Sequence, residues 1–353
     1  MTVQPSFWQD RRVLVTGHTG FKGAWLALWL SELGAQVHGF SVDVPTDPSL
    51  FELARVGEVV DDVRGDVRDP DAVRAAIEHA RPEVIFHLAA QALVRRGYRE
   101  PRLTFETNVM GTVNVLDAVR DAPGVRVVVN VTTDKCYENL ELGRPFREDD
   151  PLGGRDPYSA SKAGSELASR AYAGLYGPGG PRLATARAGN VIGGGDWGED
   201  RLLPDLLRAA AAGVPAPIRN PHAVRPWQHV LGPLSGYLML AERLWDDAGA
   251  VGTWNFGPDP GDALAVGEVV ERVRERWPGE LRIQADPGPH PHEAGLLTLD
   301  AAKAREQLGW APGWDLQAGL DATVAWHAAV AGGADARAVT LGQVRDFCGA
   351  PVA

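Results

Sequence analysis

Cysteine is scarce in this chain of 353 residues: Cys136 and Cys348 are far apart and form no CxxC pair. That excludes a disulfide framework and a thiolate zinc site, and it suits a reducing, cytoplasmic setting. Long apolar runs are missing as well. No window of about 18 apolar residues is uninterrupted, so no membrane-spanning helix is expected. The first residues are polar and lead to Arg11 and Arg12, without the apolar stretch and small-residue cleavage site of a secretory leader. Nor is there an excess of positive charge. A net charge of -11 and a pI near 5.3 repel polyphosphate, which excludes general nucleic-acid binding and leaves room only for a local basic pocket. No internal repeat is apparent.

What the chain does have is alternation. Short apolar runs at Arg12–Thr16, 36–40, 59–63, 84–88 and 125–132 are separated mostly by helical patterns, which predicts a parallel, doubly wound α/β sheet of the Rossmann type. Pro70 sits where a helix tolerates a missing N–H, and Gly34 where the first helix should close. The breaker cluster Gly177-Pro178-Gly179-Gly180-Pro181 precedes a further strand at 183–187, after which Pro, Trp and Arg become frequent. The division expected is a dinucleotide-binding domain over 1–187, completed by part of 225–256, and a smaller C-terminal α/β domain over 188–353 that mainly binds substrate.

After the first strand comes Thr16-Gly17-His18-Thr19-Gly20-Phe21-Lys22-Gly23. Gly17 permits the tight turn, Gly20 lets the backbone approach a pyrophosphate, and Gly23 lets the helix pack closely, while the helix N-terminus attracts the anion. Asp43, just past the second strand, is the acidic residue expected to meet a ribose. No Arg or Lys lies between Gln36 and Leu53 to receive a 2'-phosphate, so NAD is favoured over NADP. Asp66, followed by Val67, is placed either to accept from the adenine amino group or to cap a turn. His18 and Lys22 are unusual within such a loop, and both stand near the expected pyrophosphate.

Tyr158 and Lys162 are four apart at the start of a helical pattern, hence on one face. There the ammonium is expected to lower the phenol pKa, so that Tyr158 exchanges a proton with a substrate hydroxyl as hydride leaves its carbon. The glycine loop, the Gly65-Asp66-Val67-Arg68-Asp69 step, His87-Leu88-Ala89-Ala90 and the Tyr158-to-Lys162 block together resemble the extended short-chain dehydrogenase/reductase family over nearly the whole chain. The resemblance implies Tyr158 as acid/base and Lys162 as its partner and ribose ligand. It also implies Thr132 or Thr133 as the adjacent hydroxyl, Ala89 and Ala90 as cofactor lining and Asn108 as a structural polar residue.

Further blocks, Thr132 to Asn139, Asp156 to Glu166, Arg187 to Trp197 and Arg219 to Val230, resemble the nucleotide-sugar 4,6-dehydratases, in particular the branch acting on CDP-D-glucose. Related thymidine diphosphate enzymes usually carry Asp-Glu where this chain has Asp134-Lys135. The resemblance implies oxidation at C4, water loss across C5 and C6 with Asp134 as acid, and hydride return to C6. Lys135 is either the C5 base or a cation that stabilises an enolate. The base role needs a neutral Asp-Lys pair, which in water lies about 6.5 pKa units, roughly 9 kcal/mol, above the ion pair.

For the nucleotide diphosphate, Arg225 resembles the family arginine, and Asn190, Arg201, Arg219 and His292 are further candidates, His292 together with Glu293. Trp197 and Trp227 suit either a site wall or the core. The chemistry calls for no metal, and the flanking prolines make His290 to Glu293 a loop. A nucleotide-sugar epimerase, a dehydratase for GDP-mannose or dTDP-glucose, and a non-catalytic NAD sensor are the alternatives; Tyr158, Lys162 and Asp134 argue against the last. The resemblance implies a homodimer formed through helices near 104–119 and 157–172.

Overall fold

Runs of Val, Ile and Leu without alternation become strands buried on both faces, as a sheet covered by helices requires. In the computed structural model, which describes residues 2–139, 143–288 and 297–349, seven strands form one parallel sheet. They are β1 (Arg12–Thr16), β2 (Gln36–Ser41), β3 (Asp61–Arg64), β4 (Val84–His87), β5 (Val127–Val131), β6 (Arg182–Ala188) and β7 (Gly252–Phe256). Their spatial order is β7-β6-β5-β4-β1-β2-β3, so the winding reverses between β1 and β4, where Thr16 lies beside His87. Ligands of such sheets bind outside the carboxyl ends at that reversal. The third strand starts at Asp61 rather than Val59, because Val56–Glu58 forms a short 3-10 turn that leaves Val59 exposed.

The longer helices are α1 (Phe21–Glu32), α2 (Pro70–Ala80), α3 (Gly111–Arg120), α4 (Pro157–Tyr176), α5 (Leu202–Ala212), α6 (Leu231–Asp246), α7 (Val266–Arg276), α8 (Leu316–Ala331) and α9 (Ala336–Phe347). Every residue of α1 from Gly23 to Leu30 is buried, the signature of a helix covered all round. Asp69 caps α2 through the N–H groups of Asp71 and Ala72 with Pro70 at its first turn, and Gly34 follows α1 with φ +82°. Past Ala188 the chain builds three two-stranded pairs and packs α5, α7 and α8 around a second core that includes Leu206, Trp227, Val269 and Leu320. It then contributes α6 and β7 to the main sheet and core. Among the described residues no helix is long and apolar enough to cross a membrane.

One buried carboxyl in α6 sets a pH dependence. Glu242 Oε1 accepts from Trp8 Nε1 at 2.7 Å and from Gln4 N at 2.9 Å, and burial pushes its pKa up to about 7. The folded state therefore holds a proton that the unfolded chain releases above the ordinary carboxylate value. This contribution to stability is complete below about pH 4.5 and is lost as pH rises through about 7. Glu242→Gln keeps an acceptor oxygen and carries no charge. It is expected to stabilise the chain at pH 8 by on the order of 2 kcal/mol and hardly at pH 5, measured by urea denaturation. Equal stability of both proteins at pH 8 would contradict this account.

Candidate active site

At the carboxyl ends of the strands lies a continuous cleft of about 1360 Å³, larger than the roughly 300–1,000 Å³ of a site for one small ligand. Its floor begins at the glycine loop. Gly17 adopts φ +76°, and a Cβ there would stand 2.7 Å from Ala89 N, while one on Gly23 would stand 2.1 Å from Gly17 O. A Cβ on Gly20 would meet Gly17 O at 3.4 Å, an ordinary contact, and the residue lines the cleft, where the missing side chain leaves room for an incoming group. Gly17, Gly20, Phe21, Lys22, Gly23, Asp43, Asp66, Val67, Ala89 and Ala90 all line the cleft. The loop is fixed by His87, whose Nδ1 lies 2.7 Å from Thr16 Oγ1 and whose Nε2 lies 3.2 Å from Thr112 Oγ1.

One of the expected cofactor contacts is absent, and a second residue carries a bond of its own. The His18 ring is fully buried beneath β2, with Nε2 2.8 Å from Asp62 Oδ1 and Nδ1 2.9 Å from Ser41 Oγ, and does not line the cleft. Gly39 makes the space, since a Cβ there would stand 2.3 Å from the ring. Asp66 does line the cleft, but its carboxylate is engaged by Arg68, through the backbone N–H at 2.9 Å and the guanidinium. Asp66 thus forms the turn and also stands in the cleft wall. Lys22 does point toward the chemistry. Burial brings its pKa down to about 7, with Arg201, Lys162 and Lys135 adding repulsion and Asp134 opposing.

The centre of the site is the junction of β5 with α4. Asp156 caps α4 by accepting from Ser159 N at 3.0 Å, and Pro157 opens it, which sets Tyr158 and Lys162 on the turn facing the strand end. Both line the cleft. The phenol is not lowered. Burial pushes it up to about 12 despite contact with the Thr133 hydroxyl, and the charge of Asp134 adds to the rise. Lys162 Nζ donates to Val131 O at 3.1 Å instead, and burial lowers its pKa to about 8 against the attraction of Glu166.

The two threonines separate in role. Thr132 Oγ1 is bonded to Glu166 Oε1, although the residue lines the cleft. Thr133 faces Tyr158 and donates to Asp134 Oδ1 at 2.9 Å. Asp134 is fully buried just behind the cleft wall. Its Oδ1 is 3.5 Å from Lys135 Nζ, and its Oδ2 has no hydrogen-bond partner among the described residues. A Cβ on Gly189 would come within 3.0 Å of that oxygen, so the glycine after β6 keeps space beside the carboxyl. Lys135 itself lines the cleft and is one-third exposed.

Asn190, Arg201, Arg219 and Arg225 line the far wall, as do Trp197 and Trp227. Arg201 holds Asp196 at 3.0 Å, Arg219 holds Asp200 at 2.9 Å, and Arg225 donates to Val224 O at 2.9 Å. Trp227 also belongs to the second core. Asn108 is structural, accepting from Gln91 N at 2.8 Å and donating to Ser161 Oγ at 2.8 Å from a π-helical turn, Glu106–Met110. His292 and Glu293 lie outside the described residues.

Several site residues carried no sequence signal. Arg95 reaches Asp200 at 3.5 Å and Arg99 reaches Glu199 at 2.7 Å, tying the two walls together. His327, from α8, lines the cleft as a neutral imidazole, its pKa brought down to about 4 by burial. Glu166, one turn beyond Lys162, accepts from Thr185 Oγ1 at 2.8 Å and from Arg187 Nε and Nη2 at 2.9 and 2.8 Å.

Comparison with known proteins gives a consistent answer. Residues 14–323 match the family described as GDP-mannose 4,6 dehydratase. The chain is 46% identical to the CDP-glucose 4,6-dehydratase of Salmonella typhimurium over 99% of both chains. Its fold is similar to a Thermus thermophilus UDP-glucose 4-epimerase solved with NAD, at 28% identity and TM-score 0.78 over 90% of this chain and 99% of that one. It is likewise similar to a dTDP-glucose 4,6-dehydratase from Streptomyces venezuelae, a double mutant with NAD bound, at 27% identity and TM-score 0.77 over 91% and 98%. The chain belongs to the GDP-mannose 4,6-dehydratase family of extended short-chain dehydrogenases/reductases.

Proposed function

We propose that the chain is a lyase that converts CDP-D-glucose to CDP-4-keto-6-deoxy-D-glucose, with NAD as resident cofactor. The observation that carries this reading is the pairing of two sets of groups at one strand end. Tyr158 and Lys162 serve a redox step, and Asp134 with Lys135 stands one hydroxyl away through Thr133. Epimerisation at C4 needs only the first set. Elimination of water needs a proton donor and a proton acceptor besides.

The glycine loop fits the dinucleotide, because it leads without a bulky side chain at Gly17, Gly20 or Gly23 into the N-terminus of α1, whose first residues, Phe21 and Lys22, line the cleft. Residues 1–187, completed by part of 225–256, hold this cofactor, and 188–353 mainly hold the nucleotide sugar. Asp43, Asp66 and Lys162 are the residues suited to its adenosine and ribose groups. When bound, NAD supplies reversible hydride acceptance from C4 and return to C6. Tyr158 takes the C4 hydroxyl proton as its phenolate, the form that the Thr133 hydroxyl, the Lys162 ammonium and the positive charge of the oxidised nicotinamide would favour against the effect of burial. The ketone formed at C4 acidifies the C5 hydrogen. Asp134, as the neutral acid, then gives a proton to the departing C6 oxygen through its unpartnered Oδ2, while Lys135, as the neutral amine, receives the C5 proton. Lys135 gives a solvent-exchanged proton back to C5 as hydride returns to C6. Arg201, Arg219, Arg225 and Asn190 hold the diphosphate and sugar.

The chain works in the cytoplasm as a homodimer. Support for the dimer comes from apolar side chains exposed on neighbouring helical segments, Phe105 and Met110 on one, Leu167 and Leu175 on α4. Leu167→Glu is expected to shift the chain to monomers in sedimentation analysis, and a wild-type monomer would refute the assembly.

Incubation with CDP-glucose, GDP-mannose and dTDP-glucose in deuterated water tests the activity. Only CDP-glucose is expected to lose its C6 hydroxyl and gain deuterium at C5, and Tyr158→Phe should lower kcat by about 10²–10⁴. Turnover of another of the three, C4 inversion, or no product at all would overturn the assignment. Lys135→Met separates base from bystander: C5 hydrogen exchange from the 4-keto intermediate should be abolished, and undiminished exchange would remove Lys135 from that role.

A further inference from the structure

Outside the cleft, at the edge of the sheet, three ligating side chains converge from three elements. His38 and Asp61 are register partners in the parallel pair β2 and β3 and so share one face. Asp62 turns to the other face, where it meets His18. Over the first face packs α2, with Val73, Ala76, Ile77 and Ala80 against Phe40, and its last turn carries His79. His38 Nδ1 lies 2.8 Å and His79 Nε2 2.6 Å from the same atom, Asp61 Oδ2, and the three donor atoms all lie within 4.8 Å of one another. The imidazoles stand 5.9 Å apart at 89°, edge to face.

The geometry points to a binding site for a divalent transition metal of the zinc class, with His38, Asp61 and His79 as ligands. Two imidazole nitrogens and one carboxylate oxygen are a donor set such ions take, leaving a fourth position to water. Tetrahedral bonds of about 2.0–2.1 Å place donors roughly 3.3 Å apart. The two contacts to Asp61 need to open by only about half an ångström, which rotation of the half-exposed Asp61 and exposed His79 side chains provides. The site also lies at the C-terminal end of α2, where backbone carbonyls favour a cation.

None of the three residues lines the cleft, so the ion would act on the scaffold rather than on the reacting sugar. It would clamp β2, β3 and α2 together at the open edge of the sheet. Anything bound only by the folded chain raises its stability by mass action.

The untagged full chain, stripped with a chelator, is titrated with zinc by calorimetry and with cobalt by visible absorption, and melted with and without zinc. A single saturable site is expected, with the d–d band of tetrahedral cobalt and a rise in Tm of about 2–4 °C at saturating zinc. His79→Ala and Asp61→Asn, both at exposed or half-exposed positions remote from the cleft, should each abolish the band and the zinc-induced rise while turnover stays unchanged. Absence of saturable binding in the wild type would overturn the proposal. Retention of the cobalt band or the zinc-induced rise by either variant would overturn the assignment of the three ligands.

Discussion

The buried carboxylate of Glu166 governs where everything else in the cleft can stand. It lies within α4 and takes hydrogen bonds from Thr132 at the end of β5 and from Thr185 and Arg187 on β6. One side chain thus ties the helix bearing Tyr158 and Lys162 to the strand ends bearing Thr133 and Asp134. Ions this deep lose several kcal/mol of hydration each, and such a pair persists only when nearly every donor and acceptor is satisfied. Here both carboxylate oxygens are shared, and the Arg187 guanidinium also lies 4.6 Å from the centre of the Tyr137 ring. Breaking one member would leave the other charged and unpaired, which is far more costly than losing a surface pair.

That tie continues through neutral groups. Asn130 on β5 donates to Ser165 and Ser169 on α4, Ser165 meets Thr112 on α3, and Thr112 meets His87 on β4, which holds Thr16 below the glycine loop. Burial keeps His87 neutral, with a pKa near 3, so it takes part as one donor and one acceptor. The cofactor loop and the catalytic helix are therefore positioned by one continuous network of small polar side chains. Such networks specify geometry because each member left unsatisfied in a low-dielectric interior carries its full desolvation cost.

Legibility in the sequence follows the range over which each constraint acts. The strand-turn-helix at Gly17 and the helix start at Pro157 rest on local backbone chemistry, so spacing alone located them. Tyr158 and Lys162 share a face because a helix repeats in fewer than four residues. The orientation of His18 depends on Gly39, 21 positions later, and on Asp62 in a third strand, contacts only the folded sheet brings together. A glycine inside a strand run was a visible sign of close approach, though it does not say what approaches. Glu166, Arg95 and His327 carried no sign at all, since an acidic, basic or imidazole side chain inside a helix ordinarily faces water. The phenol pKa of Tyr158 rises for a related reason: spacing places a cation nearby, but burial depth and the turn of Lys162 toward Val131 O decide the sign.

Electrostatics of the cleft then explain why its cations are built in pairs with acids. Lys22 and Lys162 sit close enough for mutual repulsion, and burial brings them to about 7 and about 8. Arg201 and Arg219 pair with Asp196 and Asp200, which hold their guanidinium groups in place and balance their charge until an anion competes. A diphosphate entering this wall meets oriented donors whose charge is already balanced, so binding exchanges partners rather than neutralising an open positive surface. The two lysines behave differently, since an anion beside them favours the protonated form and draws a proton in with it. Between pH 7 and the ordinary lysine range, the affinity contributed by Lys22 must therefore fall as pH rises, because each bound anion requires a proton the solvent supplies less readily. The arginines hold the ligand at any pH, while the lysines couple its charge to the proton state of the groups beside Tyr158.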